Sequence, residues 1–333
     1  MPRIAIACRG ILVGMPITWR PAIWSDIEPC LAIQPARRGD ALVGKRVAID
    51  VWRHLFGDPF FLSAVLESSP AIGGYRQVGF GASVLVTSAF AEAEIADPRP
   101  DINSRLIAAI HAGRRTLATR DDVARANAGE GVSVLVMCGN WRDEILDPDD
   151  RQRVQTLFVA SFAQEIAGYR IQRILNESVD EPAREFMQRS VVYQPIGEFR
   201  ELGRTLWVMT PESVKTMLAS VGNILFSFDE PVLRLRKSDQ QLLVAALGGA
   251  IDDDVSGVLG VTLSAVKARW RSVFARISET MPGLLQDIGK SEGRGMQKRH
   301  KVINYVREHP QELRPYRWGP TTGKSRSVTA HQH

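Results

Sequence analysis

The sequence predicts a mixed α/β or α+β domain over residues 1–231, an all-α domain over residues 232–288 and a basic, partly disordered tail over residues 289–333. Two observations support this division. Short apolar and β-branched runs alternate with helical periodicity as far as Pro231, and a compact helical stretch punctuated by glycine follows it. At 333 residues, the chain also has the length expected of about two domains.

The strand predictions in the first region come from short apolar runs bounded by turn residues. The clearest is Val78–Thr87, which is rich in β-branched residues. The run Val132–Met137 is fully apolar and has the length of a strand. Shorter strands are predicted at Ile17–Arg20, Val191–Tyr193, Leu206–Met209 and Ile224–Phe228.

Helices are predicted where apolar residues recur every three or four positions. The longest of them spans Val154–Leu175. The others are a helix capped by Ser25-Asp26 that runs into Leu31–Ile33, and the segments Val47–Phe56, Asn103–His111 and Asp121–Asn127. The opening 15 residues have no clear periodicity, and we expect them to be disordered.

The composition, 44% hydrophobic and 24% charged, is that of an ordinary globular protein. No stretch approaches the roughly 20 apolar residues of a membrane span, and the apolar N-terminus, interrupted by Arg9, is too short for a signal sequence. Because Cys8, Cys30 and Cys138 are scattered and odd in number, neither a disulfide framework nor a metal site is predicted, and no cofactor is predicted either. We therefore expect a cytoplasmic protein.

Charge is unevenly distributed along the chain. Residues 1–231 have a net charge of −3, whereas residues 232–333 have a net charge of +8. A basic C-terminal third indicates either contact with phosphates or a solvated basic tail. Within it, the segment Gln297–Arg317 interleaves basic residues with Tyr305 and Tyr316. This segment is compatible with an extended phosphate contact, an extra packed helix or a solvated tail.

Three helices are predicted in the second region. The first, Asp239–Leu247, has one apolar face and is stopped by a glycine pair. Asp252 can cap the second helix, and Gly260 supplies the left-handed residue that ends it. Thr262 can then cap the third helix, Leu263–Ile277. Two short helices joined by a tight turn are the arrangement of a helix-turn-helix.

The third predicted helix separates an apolar face from a polar one. Its predicted core residues are Val266, Trp270, Val273, Phe274 and Ile277. The opposite side has small residues at its centre and basic residues on its flanks, and these are the candidate DNA contacts: Ser264, Lys267, Ala268, Arg269, Arg271 and Arg276. Small side chains let a helix enter a major groove, where basic ones reach phosphates or a guanine edge. A solvated basic face is the alternative.

The run from Leu235 to Ile277 resembles the LuxR-type helix-turn-helix over 43 ungapped residues. The residues that fall on the family's positions are Leu235, Leu242, Leu243, Gly249, Val255, Leu259, Val261, Val266, Lys267 and Ile277. The sequence departs from the family at Arg236, Ser238-Asp239, Ala265, Arg269 and, most clearly, Asp252-Asp253-Asp254, whose carboxylates would repel phosphate. The resemblance implies DNA binding, by a homodimer on paired half-sites, under the control of a sensing domain.

A second resemblance lies in the first region. The run Arg76-Gln-Val-Gly79-Phe-Gly81 fits the R/Q-x-x-G-x-G/A acyl-CoA pyrophosphate loop of GNAT acetyltransferases. Such a loop needs a helix N-terminus after it, but here Ser83–Val86 continues as a strand. The order of elements from Ile17 onwards nonetheless resembles the opening of a GNAT fold. It implies either a degenerate fold reused as a sensor or an acyl-CoA-dependent N-acyltransferase with an accessory helical domain.

A candidate ligand site follows the apolar strand at Val132–Met137. Cys138, Trp141 and Arg142 come just past its end, beside Asn140, where ligand sites often lie in α/β sheets. Trp141 and Arg142 are suited to an apolar, anionic small-molecule effector; the alternative places Trp141 in the core and Arg142 on the surface. No catalytic residue is predicted, because the six histidines are isolated.

The leading prediction is a sequence-specific DNA-binding transcriptional regulator, and not an enzyme, whose N-terminal domain senses a ligand. Its predicted partner is double-stranded DNA, with Lys267, Arg269 and Arg271 as anchors. The N-acyltransferase is the alternative. A protein-interaction module that kept the helical fold without DNA binding is a third hypothesis.

Overall fold

A computed structural model describes residues 17–33, 44–190, 192–215, 221–286 and 294–318. A seven-stranded mixed sheet with helices on both faces occupies the first region, and helices alone follow it. The predicted α/β or α+β fold of the first region is therefore confirmed at the level of a mixed α/β fold. The predicted disorder of the opening 15 residues lies outside the described residues.

The sheet has the strand order β1-β2-β3-β4-β5-β7-β6. Its strands are β1 (Ile17–Pro21), β2 (Phe61–Ile72), β3 (Tyr75–Val86), β4 (Val132–Trp141), β5 (Ile171–Ser178), β6 (Gln194–Phe199) and β7 (Arg204–Met209). Neighbouring strands are antiparallel except β4 and β5, which run parallel. Four predicted strands are confirmed, as β1, β3, β4 and β7.

Helices connect these strands and continue beyond them. Around the sheet they are α1 (Ile27–Leu31), α2 (Lys45–Gly57), α3 (Ser88–Ala96), α4 (Ile102–His111), α5 (Arg120–Asn127), α6 (Pro148–Ile166), α7 (Glu181–Ser190), α8 (Pro211–Lys215) and α9 (Val221–Leu225). The C-terminal helices are α10 (Lys237–Ala246), α11 (Asp252–Leu259), α12 (Leu263–Thr280) and α13 (Arg294–Glu308). None of the helices in the described ranges is long and apolar enough to cross a bilayer.

Each face of the sheet buries its own apolar cluster. Helices α1, α2 and α4 cover one face, where Trp52, Leu55 and Phe80 are buried. Helices α5 and α6 cover the other, where Val123 and Ile166 pack on the strands. Covering both faces explains why the central strand β4 reads as a continuous apolar run and not as an alternating one.

The predicted helix over Val154–Leu175 is wrong at its C-terminal end. Helix α6 ends at Ile166, and strand β5 begins five residues later. Gly168 has a φ of +82°, which glycine adopts without the strain of a side chain. A Cβ at this position would also lie 2.4 Å from the backbone nitrogen of Gln311. The apolar residues of α6 and β5 continue one spacing in the sequence, so the pattern does not show the turn at Gly168 that separates the helix from the strand.

Three other predictions about the sheet region differ from the structure. Strand β2 was not predicted, although it pairs with both β1 and β3. The predicted strand Val191–Tyr193 lies just before β6, and Val191 is outside the described residues. The predicted strand Ile224–Phe228 overlaps helix α9 instead.

The three predicted helices of the second region are confirmed as α10, α11 and α12. Gly260 ends α11 in the left-handed conformation, and the Thr262 hydroxyl accepts a hydrogen bond from the backbone N–H of Ala265, as predicted. The predicted cap by Asp252 is wrong: Ile251 holds the N-cap position, and Asp252 pairs with Arg299 of α13. The helices share a buried cluster that includes Leu242, Val266, Trp270, Val273 and Ile277.

The segment after α13 joins the helices to the sheet region. The Arg314 guanidinium donates to the backbone oxygens of Glu165 and Ala167 and lies 4.3 Å from the centre of the Tyr169 ring. Asn127 donates to the backbone oxygen of Pro315 at 2.7 Å. The basic segment is therefore packed as far as Trp318, and the predicted disordered end lies outside the described residues.

Candidate functional site

Strands β4 and β5 separate halfway along their length. Their parallel pairing runs from Val132 with Ile171 to Val136 with Asn176. Beyond that point β4 pairs with β3 alone, as far as the pair of Gly79 with Trp141. The register of β3 and β4 shifts at this same point, which marks a β-bulge, and a bulge bends the strand that holds it.

The separation opens a cleft of about 840 Å³, within the usual size of small-molecule sites. Its walls are the ends of β4 and β5, the face of α6 toward the sheet, helix α7 and the end of α1. Much of the lining is apolar and comes from the strands and from α6: Ala64, Gly81, Val136, Trp141, Phe158 and Phe162. The cleft therefore combines an apolar wall with the polar groups described below.

The three predicted ligand-binding residues all line this cleft. Cys138 is buried. The Trp141 indole N–H donates to Asp143 at 3.0 Å, and its ring centroid lies 5.9 Å from that of Phe158. The Arg142 guanidinium lies 3.9 Å from the centre of the Tyr75 ring and donates to the backbone oxygen of Gln77. Trp141 and Arg142 are both half-buried, so neither lies fully in the core or fully on the surface, and ligand binding by these residues stays a prediction.

The R-x-x-G-x-G run lies inside β3, so it is not followed by a helix N-terminus. Its glycines have a different role. A Cβ at Gly79 or Gly81 would lie 3.1 or 3.0 Å from the nearest ring carbon of Phe158. Because the two glycines lack side chains, the Phe158 ring of α6 can lie directly on the backbone of β3.

Two carboxylates of the cleft are held by backbone amides. Glu165 accepts a hydrogen bond from the N–H of Ser63 at 2.9 Å. Glu177, with a side chain 1% exposed, accepts the N–H of Asp101 at 2.7 Å and lies 3.8 Å from Arg204. Arg204 also pairs with Asp101, which satisfies the buried cation from two sides. Both carboxylates are thus fixed in place at the cleft.

Further polar groups come from β4 and from the segment before β6. Burial raises the pKa of Tyr193 to about 12, although its hydrogen bond with Asn176 lowers the pKa. The Nδ2 amide of Asn140 is buried and has no hydrogen-bond partner in the described part of the chain. A buried N–H without a partner can donate a hydrogen bond to a bound ligand.

The entrance to α6, just after β4, carries several carboxylates, and two of them pair with arginines: Asp143 with Arg151 and Asp150 with Arg153. Asp147 caps the helix by accepting the N–H of Asp150, and Asp149 lies in the same first turn. Although burial opposes it, hydrogen bonds from Trp141 and Arg151 lower the pKa of Asp143. Carboxylates therefore occupy the helix terminus that would otherwise attract an anion.

Sequence reasoning missed Glu165, Glu177 and Tyr193 because they come from three separate elements and belong to no local motif. The sequence places Asn140 beside the candidate ligand residues, but only the structure shows that its side-chain amide is buried without a partner in the described part of the chain. The sequence of β5, IQRILNES, contains several polar residues, so Glu177 does not stand out in it.

The predicted DNA-contacting residues lie on the exposed side of α12, away from its buried cluster. Ser264, Lys267, Ala268 and Arg271 are exposed, and Arg269 is half-buried. Arg276 donates to the backbone oxygen of Arg234 at 2.9 Å and lies 3.9 Å from Asp239, so it serves the packing of the helices.

No protein-family model matches the chain, and no curated protein matches it significantly. Among solved structures, it is similar to Arabidopsis thaliana NAA60 in complex with acetyl-CoA, with 14% identity, 59% of this chain and 99% of that one covered, and a TM-score of 0.36. It is similar to FeeM, an N-acyl amino acid synthase from uncultured soil microbes, with 11% identity, 61% and 95% covered, and a TM-score of 0.34. A third is an uncharacterized protein from Bacillus halodurans, with 12% identity, 63% and 90% covered, and a TM-score of 0.34.

The leading prediction from the sequence, a DNA-binding regulator that is not an enzyme, is wrong. One similar structure is named as an arylalkylamine N-acetyltransferase from the yellow fever mosquito, FeeM is named as an N-acyl amino acid synthase, and none of those named here is a LuxR-type regulator. Double-stranded DNA is accordingly withdrawn as the partner. The helices α10–α12 exist, but a LuxR-type module is supported by no family model. TM-scores this low assign neither a fold family nor an activity to the chain, so the resemblance of the first region to the GNAT fold stays a prediction.

Proposed function

We propose that this chain transfers an acyl group from a thioester donor, such as acyl-CoA, to an amine. The observation that supports the proposal is the cleft at which β4 loses its parallel partner after Val136. An extended donor arm that carries amide groups can lie along β4 beyond its pairing with β5, as an added strand does. The acyl carbon then lies among the groups that line the cleft.

The reaction needs polarisation of the thioester carbonyl. Negative charge develops on the carbonyl oxygen when the amine nitrogen attacks the acyl carbon, and fixed N–H donors stabilise that charge. The part of β4 that lines the cleft brings backbone groups to it, and the side-chain amide of Asn140, which has no partner in the described part of the chain, supplies an N–H donor. These donors are held in place by the sheet, so they need no reorganisation during the reaction.

The amine must lose its protons to react. An amine is protonated near neutral pH and attacks only in its neutral form. Glu165 and Glu177 are fixed carboxylates at the cleft, and one of them can accept the proton, directly or through water. The carbon–nitrogen bond forms, the carbon–sulfur bond breaks, and the second amine proton ends on the departing thiol.

Tyr193 is suited to stabilise the departing sulfur by a hydrogen bond. With its pKa raised to about 12, its hydroxyl stays protonated across the physiological range. A thiol has a pKa of about 8.5, so full proton transfer from Tyr193 to the thiolate would be uphill. The hydroxyl therefore acts in this proposal as a hydrogen-bond donor and not as the acid.

The residues present fit the thioester arm of acyl-CoA better than its diphosphate. The arm has an open strand edge and an apolar wall. The diphosphate would face the first turn of α6, where Asp147, Asp149 and Asp150 repel anions. We therefore propose that recognition rests on the acyl group and the arm.

The remaining predictions are kept within this proposal. Residues 232–288 form an accessory helical domain beside the catalytic region of residues 1–231, and the segment from α13 to Trp318 fastens the two together. Cys138, Trp141 and Arg142 contribute to the wall of the cleft. A cytoplasmic location remains a prediction.

Release of thiol from acyl-CoA tests the proposal. The full chain is incubated with acetyl-CoA and octanoyl-CoA and a panel of amines, including amino acids and arylalkylamines, and products are identified by mass spectrometry. Gly139→Trp fills the cleft, because a Cβ at Gly139 meets nothing within 4 Å, whereas Gly257→Trp on α11 is the matched control. We expect amide formation that falls at least about tenfold in Gly139→Trp alone. Amide formation unaffected by Gly139→Trp, or none with any donor and amine, would refute the proposal.

A further inference from the structure

We propose that the cleft takes an acyl chain longer than acetyl and that Phe158 sets the chain length. This inference rests on the proposed acyl transfer and names its donor class. It comes from the shape of the cleft beyond the point at which β4 and β5 separate, and from the one aromatic ring that lies directly on β3.

The cleft extends across the sheet well past β4. Its lining includes Gly139 of β4, Gly81 of β3 and Ala64 of β2. These three residues lie directly opposite one another across the strands, because Gly139 pairs with Gly81 and Gly81 with Ala64. Two strand spacings make about 10 Å from β4 to β2. An acetyl group ends one carbon–carbon bond beyond the carbonyl, so most of this space is left for a longer chain.

The roof over this part of the cleft is apolar. It consists of side chains from α6, namely Phe158, Val159 and Phe162. These three line the cleft and are only half-buried, whereas Val154 of the same helix is fully buried. Part of the space beside these side chains is therefore open, and an apolar chain bound there would bury their surface.

Phe158 stands in the middle of that space. Its ring carbons approach the Cβ positions of Gly79 and Gly81 to 3.1 and 3.0 Å, so the ring rests on the backbone of β3. It lies between Trp141, with ring centroids 5.9 Å apart, and the part of the cleft at Ala64. A chain that enters along β4 thus meets the Phe158 ring before it reaches β2.

Two substitutions at this contact have opposite expected effects. Phe158→Ala removes the ring and lengthens the passage toward Ala64. Gly81→Ala places a methyl group 3.0 Å from the ring, so the ring must move away from β3 and into the cleft, which shortens the passage. Because the effects differ in direction, general destabilisation cannot mimic both.

The test is a titration of acyl-CoA thioesters, from acetyl- through octanoyl- to palmitoyl-CoA, into the full chain and its variants. We expect octanoyl-CoA to bind the unmodified chain at least about tenfold more tightly than acetyl-CoA. The best chain is expected to become longer in Phe158→Ala and shorter in Gly81→Ala. Phe228→Ala, which removes a ring outside the cleft, is the matched control, and thermal unfolding checks that each variant is folded. Phe158→Leu replaces Phe158→Ala if the latter does not fold.

The outcomes separate this inference from the proposed function. Equal affinity for all chain lengths, or a preference that both variants leave unchanged or shift in the same direction, would overturn the role of Phe158 while leaving acyl transfer intact. Binding of no thioester at all would overturn the proposed function, and this inference with it.

Discussion

The cleft in the sheet and the C-terminal helices differ in where their residues come from. The cleft collects side chains from β2, β4, β5, α6 and the segment before β6, which span more than 100 positions of the chain. The helices α10–α13 instead bury a cluster that comes from one continuous stretch of the chain, between Leu233 and Leu313. The local region is the easier one to recognise in a sequence, and the dispersed region is the one that forms a site.

Loss of the buried cation beneath the cleft has the largest expected effect. Arg204→Met leaves Asp101 and Glu177 without their shared partner in a buried setting. We expect the free energy of unfolding to fall by about 3 kcal/mol or more, because uncompensated buried charge is costly. Urea unfolding of the purified chain measures it, with a change below about 1 kcal/mol speaking against a structural role for this ion triad.

Neutralising the acidic entrance to α6 tests donor recognition. In the unmodified chain, octanoyl-CoA and octanoyl-pantetheine are expected to bind with similar affinity. Asp149→Asn combined with Asp150→Asn removes repulsion at the helix terminus and should tighten octanoyl-CoA alone by about fivefold at low salt. Calorimetry of both donors checks this. A strong preference of the unmodified chain for the CoA form would mean that the diphosphate has a site of its own.

Acid should remove the contribution of Asp122 to the stability of α5. Despite partial burial, which acts in the opposite direction, hydrogen bonds from Thr119 and Arg115 lower its pKa from 3.8 to about 2. A carboxylate with a lowered pKa stabilises the folded state above its unfolded value and loses that effect as the pH falls. Asp122→Asn should therefore cost about 1 kcal/mol at neutral pH. The difference between the two proteins should vanish between pH 4 and about 2, and a difference that persists at the lower pH would contradict this explanation.

The smallest effect is expected on the exposed face of α12. Lys267→Ala with Arg271→Ala removes two exposed cations. We expect the free energy of unfolding to change by less than about 0.5 kcal/mol, and acyl-CoA binding to stay unchanged. Loss of acyl-CoA binding in this variant would show that the C-terminal helices take part in the function of the cleft, which would contradict this expectation.

Local physical signals account for what the sequence predicted correctly. Gly260 and Thr262 end one helix and start the next by their own backbone and hydroxyl chemistry, so α11 and α12 could be placed without knowledge of the fold. The same holds for β4, whose apolar run has strand length. Cys138, Trp141 and Arg142 were singled out because they follow that strand, and the structure brings all three to the cleft.

The failures come from information that is not local. Strand β5 was read as part of a helix because Ile171 and Ile174 continue the apolar spacing of α6, and the conformation of Gly168 is fixed by packing against the distant Gln311. The glycines at 79 and 81 looked like a phosphate loop because a short pattern does not show whether a strand continues. The basic face of α12 was read as a DNA surface because charge alone does not name its partner.

A calorimetric titration of octanoyl-CoA into the full chain and into Gly139→Trp tests most directly whether the acyl donor binds in the cleft. The donor is expected to bind in the cleft between β4 and β5, where Gly139 has open space beside it. We expect binding at one site per chain in the unmodified protein and loss of that binding in Gly139→Trp, with Gly257→Trp unaffected. Equal binding by all three proteins would contradict it.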